Sequence, residues 1–511
     1  MTVYSVNLGI GWASSGVEYA QAYRGKVFRN SNIDSKFIFS DCILQDNIEA
    51  LTKNIGFADD QIIWFYQFFT DVKIAPSTYP LAKFEADEQI DQRNFTKKVA
   101  DDHKTVQYVS EEEGLVINAR YSDAEQQTID QANYFANGQL VRRSAYSYVK
   151  YATEFYSGDG QQNHVSYREF YNEDGSKAYT QYVKGNREMF QFPNKLYYSK
   201  NELYEEFIKR LNFQQGDILI IDRQDDGGVL INGQLLFEHH GPAKLIIVVH
   251  ADHYDKHFTN NRNVLWNNFY EYQFTYSDDV DCFIVSTDQQ RAMLQKQLKR
   301  YENSTTKVIT IPVGSLKQLT KPVSPRKPHS LITASRLAPE KHVDWLAKAV
   351  VKAHEQVPDV SLDIYGQGGD QKRIQDVIDF NHAGDYIHLM GQQNLDQIYV
   401  KYSAYIAAST SEGFGLSLME AVGSGLPMIG FDVPYGNPTF IDDQQNGYLI
   451  PYDEKASEDA KVDQLAVAIV KMFTEADLDA YSQHSYDLAT PYLDENITHE
   501  WQNLVEKMSN D

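Results

Sequence analysis

The sequence predicts an α/β protein in which two Rossmann-like domains face a cleft and an antiparallel β-meander is inserted into the first. Three observations lead to this prediction. Short apolar runs followed by glycine-containing turns and amphipathic segments occur in both the first and the last third of the chain. Between them, a tyrosine-rich stretch alternates polar and apolar residues around hairpin turns. A chain of 511 residues is also too long for a single hydrophobic core.

The first Rossmann-like domain is predicted over residues 1–75 and 199–320. It begins with a strand at Val3–Leu8, a glycine-rich loop at Gly9–Gly16 and a helix from Val17. A lone loop of this kind is as consistent with a plain turn as with a phosphate-binding loop. Apolar runs predict the remaining strands of this domain at Phe37–Phe39, Asp217–Ile221, Lys244–Val249, Cys282–Ser286 and Lys307–Ile311.

Residues 76–198 are predicted to form the inserted β-rich domain. Hairpin turns are expected at Asn137–Gly138, Asp174–Gly175 and Lys184–Arg187, and their similarity indicates a repeating meander. Twelve tyrosines fall between Tyr121 and Tyr198. These rings either cover a thin sheet or form a surface that docks a partner or a polypeptide acceptor, because tyrosine favours interfaces.

A proline-rich, basic segment at Pro322–Pro328 is the expected linker to the second Rossmann-like domain, residues 328–490. The last segment, residues 491–511, has a helical pattern over Tyr492–Met508. Strands of the second domain are predicted at Leu331–Ser335, Leu362–Tyr365, Ile387–Met390, Tyr405–Ala408 and Met428–Phe431.

A turn between a strand and a helix of the second domain carries two carboxylates. Within the stretch Ser409–Ala421, Gly413 and Gly415 permit a sharp turn, and the helix that follows offers N–H groups and a positive dipole end to a phosphate. Glu412 and Glu420, with seven residues between them, flank the turn and suit the hydroxyls of a sugar nucleotide. Taken alone, the turn is equally consistent with two solvated glutamates.

Two cationic side chains lie at an earlier turn of the second domain, which also joins a strand to a helix. Arg336 and Lys341 follow the apolar run Leu331–Thr333 and precede an amphipathic helix. Open α/β sheets bind ligands at the carboxyl ends of their strands. A guanidinium and an ammonium at that place are suited to neutralise a diphosphate leaving group.

Together these motifs resemble the family 4 retaining glycosyltransferases of the GT-B fold. Those enzymes carry a Glu-x7-Glu pair in the setting Glu-Gly-Phe-Gly and, earlier in the chain, an Arg-x-x-x-x-Lys motif. The resemblance implies transfer of a sugar from a nucleotide diphosphate, with retention of anomeric configuration, in the cleft between the two domains. It also implies that the final helix, within residues 491–511, crosses back to the first domain.

The resemblance implies a role for each matching residue. Glu420 would hold the ribose hydroxyls, Glu412 the hydroxyls of the donor sugar, and Arg336 and Lys341 the diphosphate. His250, at the end of a predicted strand, would lie beside the donor sugar. The implied catalytic residues are therefore Glu412, Lys341, Arg336 and His250. Further contacts with the donor are implied for Gly16, Phe414, Gly415 and Leu416.

Over its whole length, the chain resembles the catalytic subunits of bacterial accessory-secretion O-GlcNAc transferases. The implied reaction moves N-acetylglucosamine from UDP-GlcNAc to Ser/Thr hydroxyls of serine-rich repeat adhesins, as the first step of their O-glycosylation. The implied partners are a homologous, motif-poor subunit of the GtfB type and the adhesin polypeptide, docked on the inserted sheet. Two alternatives remain open: a wall teichoic acid α-glycosyltransferase and a non-catalytic adhesin-binding subunit.

No metal and no cofactor beyond the donor substrate UDP-GlcNAc is expected. No Asp-x-Asp signature occurs in the expected context, and Arg336 and Lys341 supply the positive charge that a metal ion would bring. His250 and His253 have a spacing that suits a metal, but the sequence shows no third ligand beside them.

The amino-acid composition of the chain limits the kinds of partner and the cellular location that we expect. A formal net charge of -24 argues against binding nucleic acid, and it fits a polyanionic teichoic acid poorly. The sequence has no run of eighteen apolar residues, and its N-terminus lacks the basic region of a signal peptide. Cys42 and Cys282 follow no metal or disulfide pattern. A cytoplasmic protein is expected, with room for peripheral contact at the inner face of the cell membrane.

Overall fold

The computed structural model describes residues 1–12, 16–100, 103–158, 163–222 and 234–510. Its internal contacts divide the chain into two units. The first unit contains residues 1–246 and 508–511, and the second contains residues 247–507. The domain boundaries predicted from the sequence, which separate the inserted sheet and the last segment, stay a prediction.

The first unit begins with alternating strands and helices. These are β1 (Val3–Asn7), α1 (Gly16–Asn30), β2 (Ser35–Phe39), α2 (Ile48–Asn54) and β3 (Ile62–Trp64). β1 pairs with β2, and β2 with β3, in parallel. Successive apolar residues of β2 are buried, as expected for a parallel strand that is covered on both faces.

An antiparallel sheet follows in the chain. Its elements are β4 (Tyr79–Pro80), α3 (Leu81–Asp87), β5 (Thr96–Val99), β6 (Thr105–Ser110), β7 (Leu115–Tyr121), β8 (Thr128–Ala136), β9 (Gln139–Tyr146), β10 (Lys150–Gly158), β11 (Asn163–Tyr171), β12 (Lys177–Lys184), β13 (Arg187–Gln191) and β14 (Leu196–Tyr197). From β5 to β14, each strand pairs with the next one in the chain, and β4 pairs with β8. The sheet is therefore a meander, as predicted.

The three predicted hairpin turns are present. Asn137 and Gly138 join β8 to β9 with φ angles of 49° and 80°, a conformation that asparagine and glycine tolerate best. Gly175, between β11 and β12, has a φ of 82°, and Gly185, between β12 and β13, has a φ of 58°. The turn chemistry in the sequence therefore identified where the meander reverses direction.

The chain then returns to the parallel strands. The next elements are α4 (Lys200–Leu211), β15 (Ile218–Ile221), α5 (Leu236–His239) and β16 (Lys244–Val249). β15 pairs in parallel with β1, so the meander is inserted between β3 and β15 of one parallel sheet. The boundary between the two units falls within β16.

The second unit begins with a short hairpin and a parallel strand pair. Its first elements are β17 (Tyr254–Asp255), β18 (Leu265–Trp266), α6 (Glu271–Thr275), β19 (Cys282–Val285), α7 (Asp288–Gln297) and β20 (Lys307–Thr310). β17 pairs with β18 in antiparallel fashion, and β19 pairs with β20 in parallel.

The remainder of the second unit is a doubly wound α/β domain. Its elements are β21 (Ser330–Ala334), α8 (Val343–His354), β22 (Ser361–Tyr365), α9 (Gln371–Phe380), β23 (Ile387–Gly391), β24 (Ala404–Ile406), α10 (Leu416–Gly423), β25 (Met428–Phe431), α11 (Asn437–Phe440), β26 (Gly447–Ile450), α12 (Glu458–Thr474) and α13 (Leu478–Ala489). The last helix, α14 (Asp494–Asn510), follows, and its residues from 508 onward are assigned to the first unit. The parallel strands lie in the order β23-β22-β21-β24-β25-β26. This is the Rossmann order, in which the chain changes direction of travel between the first and the fourth strand.

Neighbouring residues of these strands face two separate apolar cores. Leu331, Ile364 and Ile406 belong to the cluster that contains residues of α8, α9 and α12. Ile332 and Tyr405 belong to a second cluster, which contains residues of α10 and α11. Because both faces of the sheet are covered, its strands read in the sequence as continuous apolar runs. The predicted fold class, α/β with an inserted antiparallel meander, is confirmed.

The predicted strands of the second domain differ from the observed ones by a few residues at their ends, and one strand was not predicted. The expected strand Tyr405–Ala408 is β24, which ends at Ile406. The unpredicted strand, β26, begins at Gly447, where a Cβ atom would lie only 1.8 Å from the Met428 carbonyl oxygen. A glycine that permits close strand packing has the same local signature as a glycine in a turn, which concealed this strand.

None of the helices in the described part of the chain combines the length and the apolar character that crossing a bilayer requires.

Candidate active site

The two motifs singled out in the sequence follow the two strands where the sheet order reverses. β21 pairs with β24 in parallel, and the loops after these strands are Ser335–His342 and Ala407–Gly415. The Thr410 N–H donates to the Glu340 carbonyl oxygen at 3.1 Å, so the two loops are in direct contact. A crevice at this reversal point is where open α/β sheets bind nucleotides.

Lys341 and Glu412 form an ion pair at the contact between these loops. The Lys341 Nζ atom donates to Glu412 Oε2 at 2.5 Å, and the two side chains are only 14% and 19% exposed. The Glu412 carbonyl oxygen accepts from the N–H groups of Tyr435 at 2.6 Å and Gly436 at 2.8 Å. Glu412 is therefore fixed through both its side chain and its backbone.

The turn after Glu412 has the glycine-dependent shape that the sequence predicted. Gly415 has a φ of 86° and immediately precedes α10, which begins at Leu416. The first N–H groups of a helix lack partners within that helix, so this end of α10 suits an anion. The Phe414 side chain is buried and packs edge-on against Phe440, with 5.1 Å between ring centroids. Its ring therefore belongs to the core, and its backbone forms part of the turn.

Glu420 lies on α10, one turn beyond the helix start, and is partly buried. The Tyr399 hydroxyl donates to Glu420 Oε2 at 2.9 Å. Burial raises the pKa of Glu420 to about 7, and the hydrogen bond from Tyr399 opposes this shift only in part. A carboxyl with a pKa strongly shifted by burial is a common feature of functional sites.

Arg336 is placed differently from Lys341. Its side chain is 76% exposed, and its guanidinium Nη2 lies 3.3 Å from Glu340 Oε1. The loop that follows β22 packs directly against the residue before Arg336, because a Cβ atom at Gly366 would lie 1.9 Å from the Ser335 carbonyl oxygen. The arginine is thus held by its backbone, while its side chain remains accessible to a ligand.

His250 directly follows β16 and lies close to the turn that contains Glu412. Its backbone N–H donates to the Tyr270 hydroxyl at 2.9 Å. A Cβ atom built on Gly413 would lie 3.0 Å from the His250 carbonyl oxygen, so the two backbones are in contact. The structure thereby brings His250, Glu412 and Lys341 into one neighbourhood.

His253, the second histidine of this stretch, is completely buried. Its Nε2 lies 2.6 Å from Gln297 Oε1, and its Nδ1 lies 3.4 Å from the Tyr435 hydroxyl. Burial lowers its pKa to about 4, so the imidazole is neutral near neutral pH. Both ring nitrogens face protein groups rather than an open position. Among the described residues, no group of three or more His, Cys, Asp or Glu side chains is arranged to hold a metal ion.

Gly16 is the one predicted site residue in the first unit. It is exposed and is the first residue of α1, so it occupies a helix N-terminus, as the sequence predicted. The other predicted site residues all lie in the second unit, which extends from residue 247 to residue 507.

Three residues of this neighbourhood were not predicted from the sequence. The Asp252 carboxylate accepts from the Ser411 hydroxyl at 2.7 Å, Tyr435 contacts both Glu412 and His253, and Tyr399 donates to Glu420. Asp252 lies two residues after His250, which was the only available signal. Tyr435 and Tyr399 belong to no sequence motif, because both reach their partners through the packing of the folded chain.

Two family models match the chain. One, described as "Glycosyl transferases group 1", matches residues 328–474, and the other, "GtfA extended beta-sheet domain", matches residues 97–194. The first range covers the loops that carry Lys341 and Glu412, and the second covers most of the meander.

A whole-length relative decides the family. The chain is 58% identical over 506 residues to the UDP-N-acetylglucosamine–peptide N-acetylglucosaminyltransferase GtfA subunit of Limosilactobacillus reuteri subsp. suis, and the match covers 99% of each chain. The chain belongs to the GtfA family. Membership of this family confirms the resemblance to glycosyltransferases that the Arg-x-x-x-x-Lys and Glu-x7-Glu motifs indicated.

Solved structures of GtfA proteins share the fold of this chain. The pneumococcal O-GlcNAc transferase GtfA in complex with UDP and GlcNAc matches with a TM-score of 0.92 and 45% identity, over 100% of this chain and 99% of that one. A GtfA/B complex matches with a TM-score of 0.90 and 45% identity, over 100% of each chain. The predicted GT-B fold is therefore confirmed for this member of the GtfA family.

Proposed function

We propose that this chain transfers N-acetylglucosamine from UDP-GlcNAc to Ser/Thr hydroxyls of a polypeptide and retains the anomeric configuration. The observation that carries the proposal is the shielded Lys341–Glu412 pair at the reversal point of a Rossmann-type sheet. Family membership adds to it, because a relative matched over its full length is named for this reaction.

In this proposal, positive charge stabilises the departing nucleotide. The bond between the anomeric carbon and the β-phosphate oxygen breaks, and UDP takes the electron pair. Lys341 and the accessible Arg336 guanidinium would neutralise the charge that develops, together with the amides of Gly415 and Leu416 at the start of α10 and the Gly16 amide at the start of α1. Because cationic side chains supply this charge, we infer a reaction that needs no metal ion.

Two carboxylates would position the donor. Glu420 would accept from the ribose hydroxyls, which its partly buried position between Tyr399 and the turn permits. Glu412 would accept from hydroxyls of the donor sugar, with His250 beside the anomeric carbon. The acceptor oxygen would then bond to that carbon on the face that the phosphate leaves. The departing phosphate oxygen would accept the proton of the acceptor hydroxyl.

The proposed acceptor is a serine-rich repeat adhesin, glycosylated in the cytoplasm or at the inner face of the cell membrane. A solved GtfA/B complex supports a homologous GtfB-like subunit as partner, since a chain of that complex is matched over its full length. We assign the docking of partner and polypeptide to the inserted sheet, within residues 76–198. Residues 328–490 would form the nucleotide-sugar domain, and residues 491–511 a helix that returns to the first domain.

The two alternatives have less support. A teichoic acid acceptor is a polyanion, and a formal net charge of -24 disfavours its approach. A subunit that only binds adhesin would not need a shielded lysine–glutamate pair together with a partly buried Glu420. Both alternatives predict no transfer to a peptide, so one assay separates them from the proposal.

The test is an assay for transfer of N-acetylglucosamine from UDP-GlcNAc to a serine-rich peptide. Transfer is measured as the release of UDP and as the increase in peptide mass. We expect Lys341→Ala and Glu412→Gln each to lower turnover by on the order of 10²–10³, the usual cost of losing one preorganised charged group. Lys352→Ala is the matched control, because it removes an exposed ion pair between Lys352 on α8 and Asp463 on α12 in the same unit. Unchanged turnover in either variant would remove that residue from the mechanism, and an inactive parent chain with its partner present would end the proposal.

A further inference from the structure

The loop that carries His250 is hydrogen-bonded to the loop that carries Glu412. The Ser411 hydroxyl, one residue before Glu412, donates to Asp252 Oδ2 at 2.7 Å. On the other side of Glu412, the Gly413 backbone is in contact with the His250 carbonyl oxygen. Glu412 therefore lies between two points at which these loops meet.

A second connection between the same loops passes through Tyr435. The Tyr435 N–H donates to the Glu412 carbonyl oxygen at 2.6 Å, and its hydroxyl lies 3.4 Å from His253 Nδ1. The two rings stack, with centroids 6.0 Å apart and an angle of 24° between their planes. This connection holds the backbone of Glu412, whereas the Ser411 contact holds the residue beside it.

The His250 loop is itself anchored to its surroundings. The Gln290 side chain donates to the Ala251 carbonyl oxygen at 2.9 Å, and the Asn267 side chain donates to the Asp252 carbonyl oxygen at 2.9 Å. His253 is held by Gln297 at the end of α7. The loop can therefore act as a fixed support for the turn that contains Glu412.

We propose that Asp252 is a positioning residue. Through its hydrogen bond with Ser411, it fixes the positions of Glu412 and Lys341 relative to His250. The inference rests on the proposed function, because these relative positions matter only if the three groups act on one sugar. A displacement of about 1 Å is enough to cost on the order of a hundredfold in rate. A single hydrogen bond at this point is thus able to control turnover.

The carboxylate suits this task better than a neutral group of the same size. Hydrogen bonds to an ionised acceptor are shorter and stronger than those between neutral groups. Burial raises the pKa of Asp252, while the hydrogen bond from Ser411 and the charge of Lys256 favour its ionised form and Glu412 opposes it.

Kinetics of the full chain, assayed with its homologous subunit, test the proposal. We expect Ser411→Ala and Asp252→Leu each to lower kcat by about ten- to a hundredfold, while KM for UDP-GlcNAc changes by less than about threefold. The double variant should be no slower than either single variant, because one contact is lost in all three. Thr310→Val is the control, since it removes a similar hydroxyl–carboxylate bond to Asp288 at 2.7 Å.

Conservative variants separate positioning from charge. Asp252→Asn retains an oxygen that accepts from Ser411, and Ser411→Thr retains the hydroxyl, so both should keep kcat within about threefold to fivefold of the parent. If Asp252→Asn is as slow as Asp252→Leu, an oxygen that accepts from Ser411 does not sustain turnover, and the proposal is wrong. Normal kcat in Ser411→Ala would also overturn it.

Hydrogen–deuterium exchange tests the contact independently of any reaction. Amides in segments 250–254 and 409–415 should exchange faster in Ser411→Ala and Asp252→Leu, but not in Ser411→Thr. Equal exchange in all variants would show that the contact does not hold the loops, whichever reaction the chain catalyses. An inactive parent with the expected exchange pattern would instead count against the proposed function alone.

Discussion

Glu420 is a partly buried acid whose protonation should control nucleotide binding. Burial raises its pKa to about 7, so the carboxyl takes up a proton as the pH falls through neutrality. A carboxylate accepts hydrogen bonds from two hydroxyls, whereas a protonated carboxyl presents a proton to one of them. In the proposed complex, the ribose of UDP would therefore be held better above pH 7 than below it.

We expect the affinity for UDP to fall by up to about tenfold between about pH 8 and about pH 6, as expected for one proton and a pKa near the middle of that interval. Because the phosphates of UDP titrate as well, Glu420→Gln is the reference. The ratio of wild-type to variant affinity, measured by calorimetry, should fall over the same interval. A constant ratio would show that Glu420 does not titrate at the bound ribose.

The same pKa shift has the opposite consequence for the stability of the folded protein. The pKa of Glu420 is near 4.5 in the unfolded chain and about 7 in the folded one. Between these values the folded state binds more protons, so the contribution of Glu420 to the free energy of unfolding decreases as the pH rises. A pH above the pKa of Glu420, which should favour binding of the ribose, therefore also gives the smallest contribution of Glu420 to the free energy of unfolding of the ligand-free protein.

The places of the predicted residues at strand ends could be read from the sequence, but the contacts that position them could not. Glu412 and Lys341 stand in spaced motifs at strand ends, and the structure brings these two side chains into contact. Asp252 contacts Ser411 across 159 residues of chain, and no local pattern records a contact of that kind. The burial that shifts the pKa of Glu420 likewise depends on packing, which spacing does not encode.

At the scale of elements, the turn after β24 depends on a second loop that packs against it. Gly436, in the loop between β25 and α11, leaves no space for a side chain. A Cβ atom there would lie 2.2 Å from the Phe414 carbonyl oxygen and 2.8 Å from Glu412 Cγ. The obstacle on one side is backbone, so the turn itself would have to move.

We expect Gly436→Ala to lower the free energy of unfolding by about 1–3 kcal/mol, the typical cost of overpacking. It should also lower turnover, because the displaced segment carries Glu412. Gly384→Ala is the matched control, since nothing lies within 4 Å of the added methyl group. Chemical denaturation and the peptide-transfer assay measure the two effects, and a Gly436→Ala protein with parental stability and turnover would contradict the expected crowding.

Elements were predicted well where periodicity and turn chemistry are local. The hairpins at Asn137–Gly138 and Asp174–Gly175 are present because Asn137, Gly138 and Gly175 tolerate the positive φ angles that the turns require. The order of the parallel strands was not predictable in the same way, because it depends on pairing between distant segments. β26 was missed for a related reason, since Gly447 serves close packing against Met428 and not a turn.

At the scale of the whole molecule, the meander carries a row of aromatic rings suited to an interface. Phe155, Tyr167 and Tyr182 stand opposite one another on β10, β11 and β12. Their ring centroids are 4.3 Å and 6.2 Å apart in succession, and Tyr182 is 39% exposed. The neighbouring positions Glu154 and Gln181 point to the opposite face and are buried. The accessible face is therefore the aromatic one.

We expect Tyr167→Ser combined with Tyr182→Ser to weaken binding of the homologous subunit by about tenfold or more, because exposed aromatic rings contribute strongly to interfaces. Hydrolysis of UDP-GlcNAc without acceptor should not change, since the substituted residues lie in a different unit from Lys341 and Glu412. Sedimentation analysis of the mixed subunits measures the first effect. Tyr276→Ser is the control, as this tyrosine is 49% exposed but lies outside the meander.

The outcome also decides between the two interpretations of the tyrosine-rich segment. If the rings only cover a thin sheet, the double variant should unfold at a lower denaturant concentration and still bind the partner normally. If they form a docking surface, binding should weaken while stability changes by less than about 1 kcal/mol, because partly exposed rings contribute little to folding when polar groups replace them. Since exposed rings on a monomer cost solubility, the row is better explained by a surface that is covered in the working complex.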